Sequence, residues 1–222
     1  MLVALKNDDG YENQLCYNKH SLKRFTKLTP ALISITTHDS PERRCVERFL
    51  ENEFRQSYDA NITRHYPTLM SVQDEERNIL GALGFRYASM ETLFLEQYLD
   101  TSVETVLSEK LRANVARHEI VEVGSLATYG NGASVFLFTA LTAYMTHMCM
   151  NYITVTATDF LHRYFSMLGL ESITLGHADQ SRLPDGGASW GSYYDTRPRI
   201  LAGSIMPAYQ KLQNHLQLQA QL

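Results

Sequence analysis

The chain has 222 residues, 44% hydrophobic and 20% charged, enough for one well-packed domain that buries a core without disulfide or metal staples. A formal net charge of −4 gives no overall attraction to phosphate backbones, so nucleic acid is not an expected partner. Three scattered cysteines, Cys16, Cys45 and Cys149, fit neither a disulfide framework nor metal-ligand spacing. With an N-terminus that lacks a signal-peptide run, they point to a reducing, cytoplasmic setting.

Residues 1–29 show no clear period and read as an irregular lead-in. Residues 31–37 are β-prone and are predicted as the first strand. Ser40-Pro41-Glu42 then supplies a capping hydroxyl and a proline at the first helical position. Cys45, Val46, Phe49, Leu50, Phe54 and Tyr58 recur at helical spacing, so 41–58 is predicted as an amphipathic helix. Two β-prone runs, 68–74 and 79–88, flank a short polar turn and predict an antiparallel hairpin. Thr101-x-x-Glu104 has the form of a capping box ahead of a short helix. Residues 119–127 are apolar on both faces and read as a central strand.

The remainder alternates. A glycine-containing turn leads to a helix over 134–150 and a strand over 152–157. A further helix follows, with Thr158 as its cap and Gly169 as its left-handed end. This order predicts an α/β sheet with crossover connections. The glutamine-rich end, 207–222, reads as a docked helix, a dimer contact or a frayed tail. No Asp, Glu, Lys or Arg occurs from Val123 to Thr158, which calls for a membrane test. A spanning helix needs roughly 20 continuous apolar residues. This stretch is interrupted at 129–132, and its longest helical piece carries Thr139, Thr142, Thr146 and His147. A buried core helix is expected instead, with no integral membrane segment.

Several residues are candidates for chemistry. Tyr129-Gly130-Asn131-Gly132-Ala133-Ser134 lies between strand and helix, where glycines let the backbone approach a phosphate and a helix N-terminus offers free N–H groups. An ordinary strand-to-helix turn has the same pattern. Glu122 lies mid-strand among apolar neighbours, where burial raises a carboxyl toward the range of a general base. The alternative is a structural carboxylate paired with Arg86 or Arg112. Trp190, Tyr193 and Tyr194 form an aromatic cluster that suits either a pocket wall or core packing. The eight histidines show no ligand spacing, so no metal is assigned, and no Gly-x-Ser-x-Gly or Cys–His pairing supports a covalent nucleophile.

The order of elements resembles the GNAT acyltransferases. At the level of words the chain resembles the thermostable hemolysin family. The matching stretches are Leu93-Phe-Leu-Glu-Gln-Tyr-Leu-Asp100, Ile120-Val-Glu-Val-Gly-Ser-Leu-Ala127, Thr156-Ala-Thr158, Leu168-Gly-Leu170, Arg182-Leu-Pro-Asp-Gly186 and Trp190-Gly-Ser-Tyr-Tyr-Asp195. They run from about residue 78 to 204. The resemblance implies a GNAT-like domain over 30–206, a mixed and mostly antiparallel sheet flanked by helices, related to the acyl-homoserine-lactone autoinducer synthases.

It also implies roles. The 129–134 turn matches the one that holds the pyrophosphate of coenzyme A, with Gly130 and Gly132 at its glycine positions. The basic or amide position falls on Ala127, which leaves room for a carrier-protein phosphopantetheine. Glu122 matches the Glu of the synthases' Glu-x-x-Arg, but the Arg position is Ser125, so a lactone product does not carry over. Glu96 and Tyr98 fall beside the acceptor cleft, or in a solvated loop. The tyrosine that many GNAT enzymes use as an acid is replaced by Phe165, with Tyr164 adjacent, and Thr158 stands where Asn is common. The implied activity is N-acyl transfer from acyl-CoA or acyl-carrier protein to a small amine. Glu122 and Glu96 would be catalytic, and Tyr98, Tyr164, Trp190, Tyr193 and Tyr194 would bind substrate. The family name suggests a membrane lysin instead, the departures at Ala127 and Phe165 suit an inactive ligand-binding domain, and a homodimer stays open.

Overall fold

The computed structural model describes the chain apart from residues 1, 9, 19, 21–22, 24–25, 130–131, 217–218 and 221–222, and apart from the side chains of 215–216 and 219–220. The strands are β1 (Leu2–Asn7), β2 (Glu12–Cys16), β3 (Leu32–Thr36), β4 (Thr68–Gln73), β5 (Ile79–Tyr87), β6 (Ile120–Thr128), β7 (Tyr152–Ala157), β8 (Ile173–His177), β9 (Arg199–Ser204) and β10 (Gln219–Ala220). They form one sheet in the order β10-β2-β1-β3-β4-β5-β6-β7-β9-β8. Neighbours are antiparallel except β1 with β3 and β6 with β7. The expected mixed, mostly antiparallel sheet is therefore present.

The helices are α1 (Arg43–Tyr58), α2 (Val103–Leu111), α3 (Ala133–His147), α4 (Asp159–Met167) and α5 (Ile205–Leu216). Each face of the central sheet carries its own core. On one, the α1 stripe Val46, Leu50 and Phe54 packs with Leu69, Ala82, Leu95 and Ile120. On the other, α3 covers Met70, Leu83, Phe85, Val121 and Val123. The absence of charge in α3 follows from burial nearly all round, from Ala133 to Met145. Its threonines are satisfied internally: Thr139 donates to the Val135 carbonyl (2.7 Å) and Thr142 to that of Phe138 (2.8 Å). No helix among the described residues is long and apolar enough to cross a membrane.

Local signals place most boundaries. The β4–β5 turn closes because the Asp74 carboxylate accepts from the N–H groups of Glu76 (3.0 Å) and Asn78 (2.8 Å). Gly169 takes φ +69° after α4, the left-handed end expected of it. The Thr158 hydroxyl accepts from the Leu161 N–H at 3.2 Å, as a cap does. Thr158→Ala should therefore lower stability by about 1 kcal/mol, read as a shift in urea midpoint at unchanged slope. An unchanged midpoint would remove the cap from the account.

Two expectations are corrected. Residues 2–7 and 12–16 are not an irregular lead-in but a hairpin that extends the sheet, with β1 parallel to β3 and Val3, Leu5 and Leu15 buried. The capping box at Thr101 does not form. Ser102 is the N-cap residue, and Glu104 turns to Arg117 at 2.8 Å. Strand β9 inserts antiparallel between β7 and β8, so β8 forms the edge of the sheet. Of the readings offered for the glutamine-rich end, the docked helix is the one present: it begins as α5, held by the buried Ile205 and Leu212. In each case the deciding contact comes from a segment distant in sequence.

Candidate functional site

Strands β6 and β7 pair from Ile120↔Tyr152 to Val123↔Val155 and no further. Beyond that point β6 runs on to Thr128 while β7 continues to pair only with β9. The reason lies in β6 itself. Its register against β5 slips between Gly84↔Gly124 and Ala82↔Ala127, leaving an extra residue in β6, and Ser125 takes φ +50°. A bulge of this kind bends its strand and strengthens the local twist. The strands part into a slot.

A cavity of about 1060 Å³ opens there, at the upper end of the range for small-molecule sites. Its wall draws on both faces of the sheet: Phe54 and Tyr66 from the α1 side, Phe138 and Leu141 from α3. Val123–Thr128 on one side, and Ile153, Val155 and Thr156 on the other, contribute the two lips of the slot. The Tyr193 hydroxyl donates to the Thr156 carbonyl at 3.2 Å and braces one lip.

Above the cavity face that carries α1, four residues of β5 and β6 form a square. Gly84 is the cross-strand partner of Gly124, and Arg86 that of Glu122. The glycine pair leaves a gap, and the Tyr66 ring fills it. A Cβ added to Gly84 would lie 2.6 Å from the Tyr66 Cβ, and one added to Gly124 would lie 2.2 Å from its hydroxyl. Buried Arg43 of α1 holds the Tyr66 backbone by donating to the carbonyls of Tyr66 (2.7 Å) and Pro67 (2.8 Å). The Arg86 guanidinium stacks over the same ring, 4.5 Å from its centre.

Glu122 is 1% exposed. Its carboxylate accepts from the backbone N–H groups of Phe94 and Leu95, both at 2.8 Å. Arg86 Nε stands 3.4 Å away, an ion-pair distance without hydrogen-bond geometry. The Tyr66 hydroxyl, lying over Gly124 nearby, also favours its charged form. Burial pushes the Glu122 carboxyl up to about 7, against the opposing pull of Arg86, the two N–H groups and Tyr66. Of the two partners read from the sequence, Arg86 is in place and Arg112 caps the end of α2 instead. Glu122 sits behind the cavity wall, while Tyr66 and Arg86 form part of it.

The other candidates separate. Tyr98, Tyr164, Trp190, Tyr193 and Tyr194 all line the cavity, and the hydroxyls of Tyr98 and Tyr194 hydrogen-bond each other. In the glycine turn, Gly132 and Ser134 reach the cavity, Ala133 packs 3.1 Å from where a Gly81 Cβ would be, and Tyr129 points to solvent. Gly130 and Asn131 lie outside the described residues.

Glu96 does not line this cavity. Its carboxylate is gripped by Arg117 (2.6 and 2.8 Å) and accepts from the N–H groups of Leu93 (2.8 Å) and Val103 (3.0 Å). Burial raises it, but Arg117 and those N–H groups outweigh burial and hold it below the usual carboxylate range. That corrects its expected catalytic role. Glu96 and Glu122 clamp the 93–103 segment from two sides.

Sequence reasoning missed Tyr66, which lies in an aperiodic stretch between α1 and β4. The usable signal was the pair of mid-strand glycines, since a strand glycine marks a close approach. Among the described residues no group of three His, Cys, Asp or Glu is arranged to hold a metal.

The same architecture occurs in solved structures. The acyl-homoserine-lactone synthase LasI superimposes with a TM-score of 0.54 at 14% identity, covering 83% of this chain and 93% of its own. FeeM, an N-acyl amino acid synthase from uncultured soil microbes, gives 0.54 at 15% identity, with 84% and 96% covered. MesI, a CoA-dependent acyl-homoserine-lactone synthase, gives 0.50 at 16% identity, with 84% and 96% covered. At these identities the likeness establishes the fold. No curated protein matches the sequence at a significant level. The thermostable hemolysin family model matches residues 36–209, most of the chain, and with the sheet and slot now described the protein belongs to that family.

Proposed function

We propose that the protein is an N-acyltransferase, moving an acyl group from acyl-CoA or acyl-carrier protein to a small amine. The observation that carries this reading is the parting of β6 and β7 after Val123↔Val155, with a cavity of about 1060 Å³ passing between them. A pantetheine arm is slender and rich in amides, and a strand edge freed from its neighbour offers it unpaired backbone N–H and C=O groups. Gly132 and Ser134 at the start of α3 would face the donor's phosphate end, where the helix dipole favours negative charge. Phe138, Leu141 and Leu201 make an apolar wall suited to the acyl chain.

Tyr98, Trp190, Tyr193 and Tyr194 line the α1 side, where the amine acceptor would enter. Attack on the thioester gains chiefly from orientation in the slot and from backbone N–H groups near the bulge that receive the oxyanion. Glu122, raised to about 7 by burial, has the proton affinity to hold the amine's proton near neutral pH. The solved structures of like fold include enzymes whose names state acyl-homoserine-lactone or N-acyl amino acid synthesis, which supports the reading.

The test is to incubate purified protein with panels of acyl-CoA, acyl-carrier protein and amines, following thiol release and new amides by mass spectrometry. Coupled thiol and amide appearance is expected. Red-cell lysis by the purified protein, with no thiol released from any donor, would replace this reading with a lytic one.

A further inference from the structure

We propose that Tyr66 is a catalytic residue, its hydroxyl carrying the acceptor amine's proton from the cavity to Glu122. This rests on the acyltransfer reading above and adds the path that reading lacks. Glu122 is sealed from the cavity, and its two oxygens already accept from the Phe94 and Leu95 N–H groups. An amine in the slot cannot reach it directly. Tyr66 touches both sides: its side chain lines the cavity, and its hydroxyl lies over Gly124, two residues along β6 from Glu122, whose charge acts on it.

The fold has been cleared for this placement. Gly84 and Gly124 face each other across β5 and β6, and any side chain at either would collide with the ring or the hydroxyl. The hydroxyl end of the ring lies over Gly124, one residue before the Ser125 bulge where the strands part. Arg43 and Arg86 both secure the residue, one through its carbonyl and one over its ring. A tyrosine needed only to fill the gap could as well be phenylalanine.

The step balances as follows. The amine nitrogen attacks the thioester carbonyl carbon, forming the C–N bond. As it does, the nitrogen's proton passes to the Tyr66 oxygen while the phenolic proton passes to Glu122. Collapse of the tetrahedral intermediate breaks the C–S bond, and the proton returns from Glu122 through Tyr66 to the departing sulfur. The products are an amide and a free thiol, with both side chains restored. Burial, reinforced by the Glu122 charge, holds the phenol well above its usual range, so it stays protonated and acts only by exchanging one proton for another. The other ionisable groups around the pair are Arg86 from β5, Tyr98, and Tyr193 from the loop before β9.

The experiment compares wild type with Tyr66→Phe, using the acyl donor and amine that give the wild-type enzyme its best turnover. Expected is a fall in kcat of about 10²-fold, within the range for a lost acid–base partner. KM for the acyl donor should stay within about twofold, since the ring remains. The rise of kcat with pH near neutrality should flatten as well. Incorporating 3-fluorotyrosine at position 66 keeps the shape and acidifies the phenol, and it should displace that limb, which decides the matter even if the phenylalanine variant folds poorly. Wild-type kcat and an unmoved pH profile in both variants would overturn the relay while leaving acyl transfer intact. No transfer by the wild type with any donor would overturn both.

Discussion

Glu122→Gln is expected to lower kcat by about 10²- to 10⁴-fold, the span attributable to a general base. KM for the donor should change little, because Glu122 lies behind the cavity wall. In the wild type kcat should climb with pH as Glu122 ionises, with a midpoint near its raised value of about 7. The variant should lack that limb. Stability moves the other way. Folding lifts this carboxyl from its ordinary 4.5 to about 7, so its favourable contribution is whole below about pH 4.5 and is lost as pH rises through 7. The loss amounts to about 3 kcal/mol in wild type and is absent from the variant. The glutamine also accepts from only one of the two N–H groups of Phe94 and Leu95, which costs about 1–3 kcal/mol at every pH. Paired pH–rate and pH–stability curves separate the two consequences. A variant with normal turnover would leave Glu122 as nothing more than the clamp on residues 94–95.

Gly84→Ala should be the most damaging of the small substitutions. The new methyl would stand 2.6 Å from the Tyr66 Cβ and 2.7 Å from its Cγ, atoms near the backbone that cannot swing aside as a side-chain tip can. The ring must leave the gap, so overpacking should destabilise the fold by about 1–3 kcal/mol. At this chain length that is roughly 2–4 °C in melting temperature per kcal/mol. Turnover should fall with it, because the hydroxyl moves from Gly124 and Glu122. The collision is confirmed if the same substitution in a Tyr66→Ala background costs much less, since coupled neighbours are non-additive. Equal costs in both backgrounds would mean that the glycine serves the strand alone.

The chain shows where local pattern suffices and where it does not. Helix α1 and the β4–β5 hairpin were legible because periods of 3.6 and 2 are written into consecutive residues. The same holds for the Thr158 cap and the Gly169 terminus, whose partners lie within a few positions. Strands β1 and β2 were not legible. Their runs are short and polar-interrupted, and they become strands by pairing with β3 and with each other. Glu96 was misread for a related reason: an acidic residue in an acidic loop carries no sign that Arg117, 21 positions on, will claim both its oxygens.

By itself the sequence determined the helices and strands of the centre and the isolation of one carboxyl within an apolar strand. It also determined the cluster of aromatics near the C-terminal end, since each depends on the identity of neighbours along the chain. Only the tertiary structure decided that β6 and β7 part after Val123, that Tyr66 occupies the gap over Gly84 and Gly124, and that Glu122 meets Arg86. Those outcomes depend on register and on a bulge between strands far apart in sequence, and a slip of one residue would turn every side chain of β6 to the opposite face.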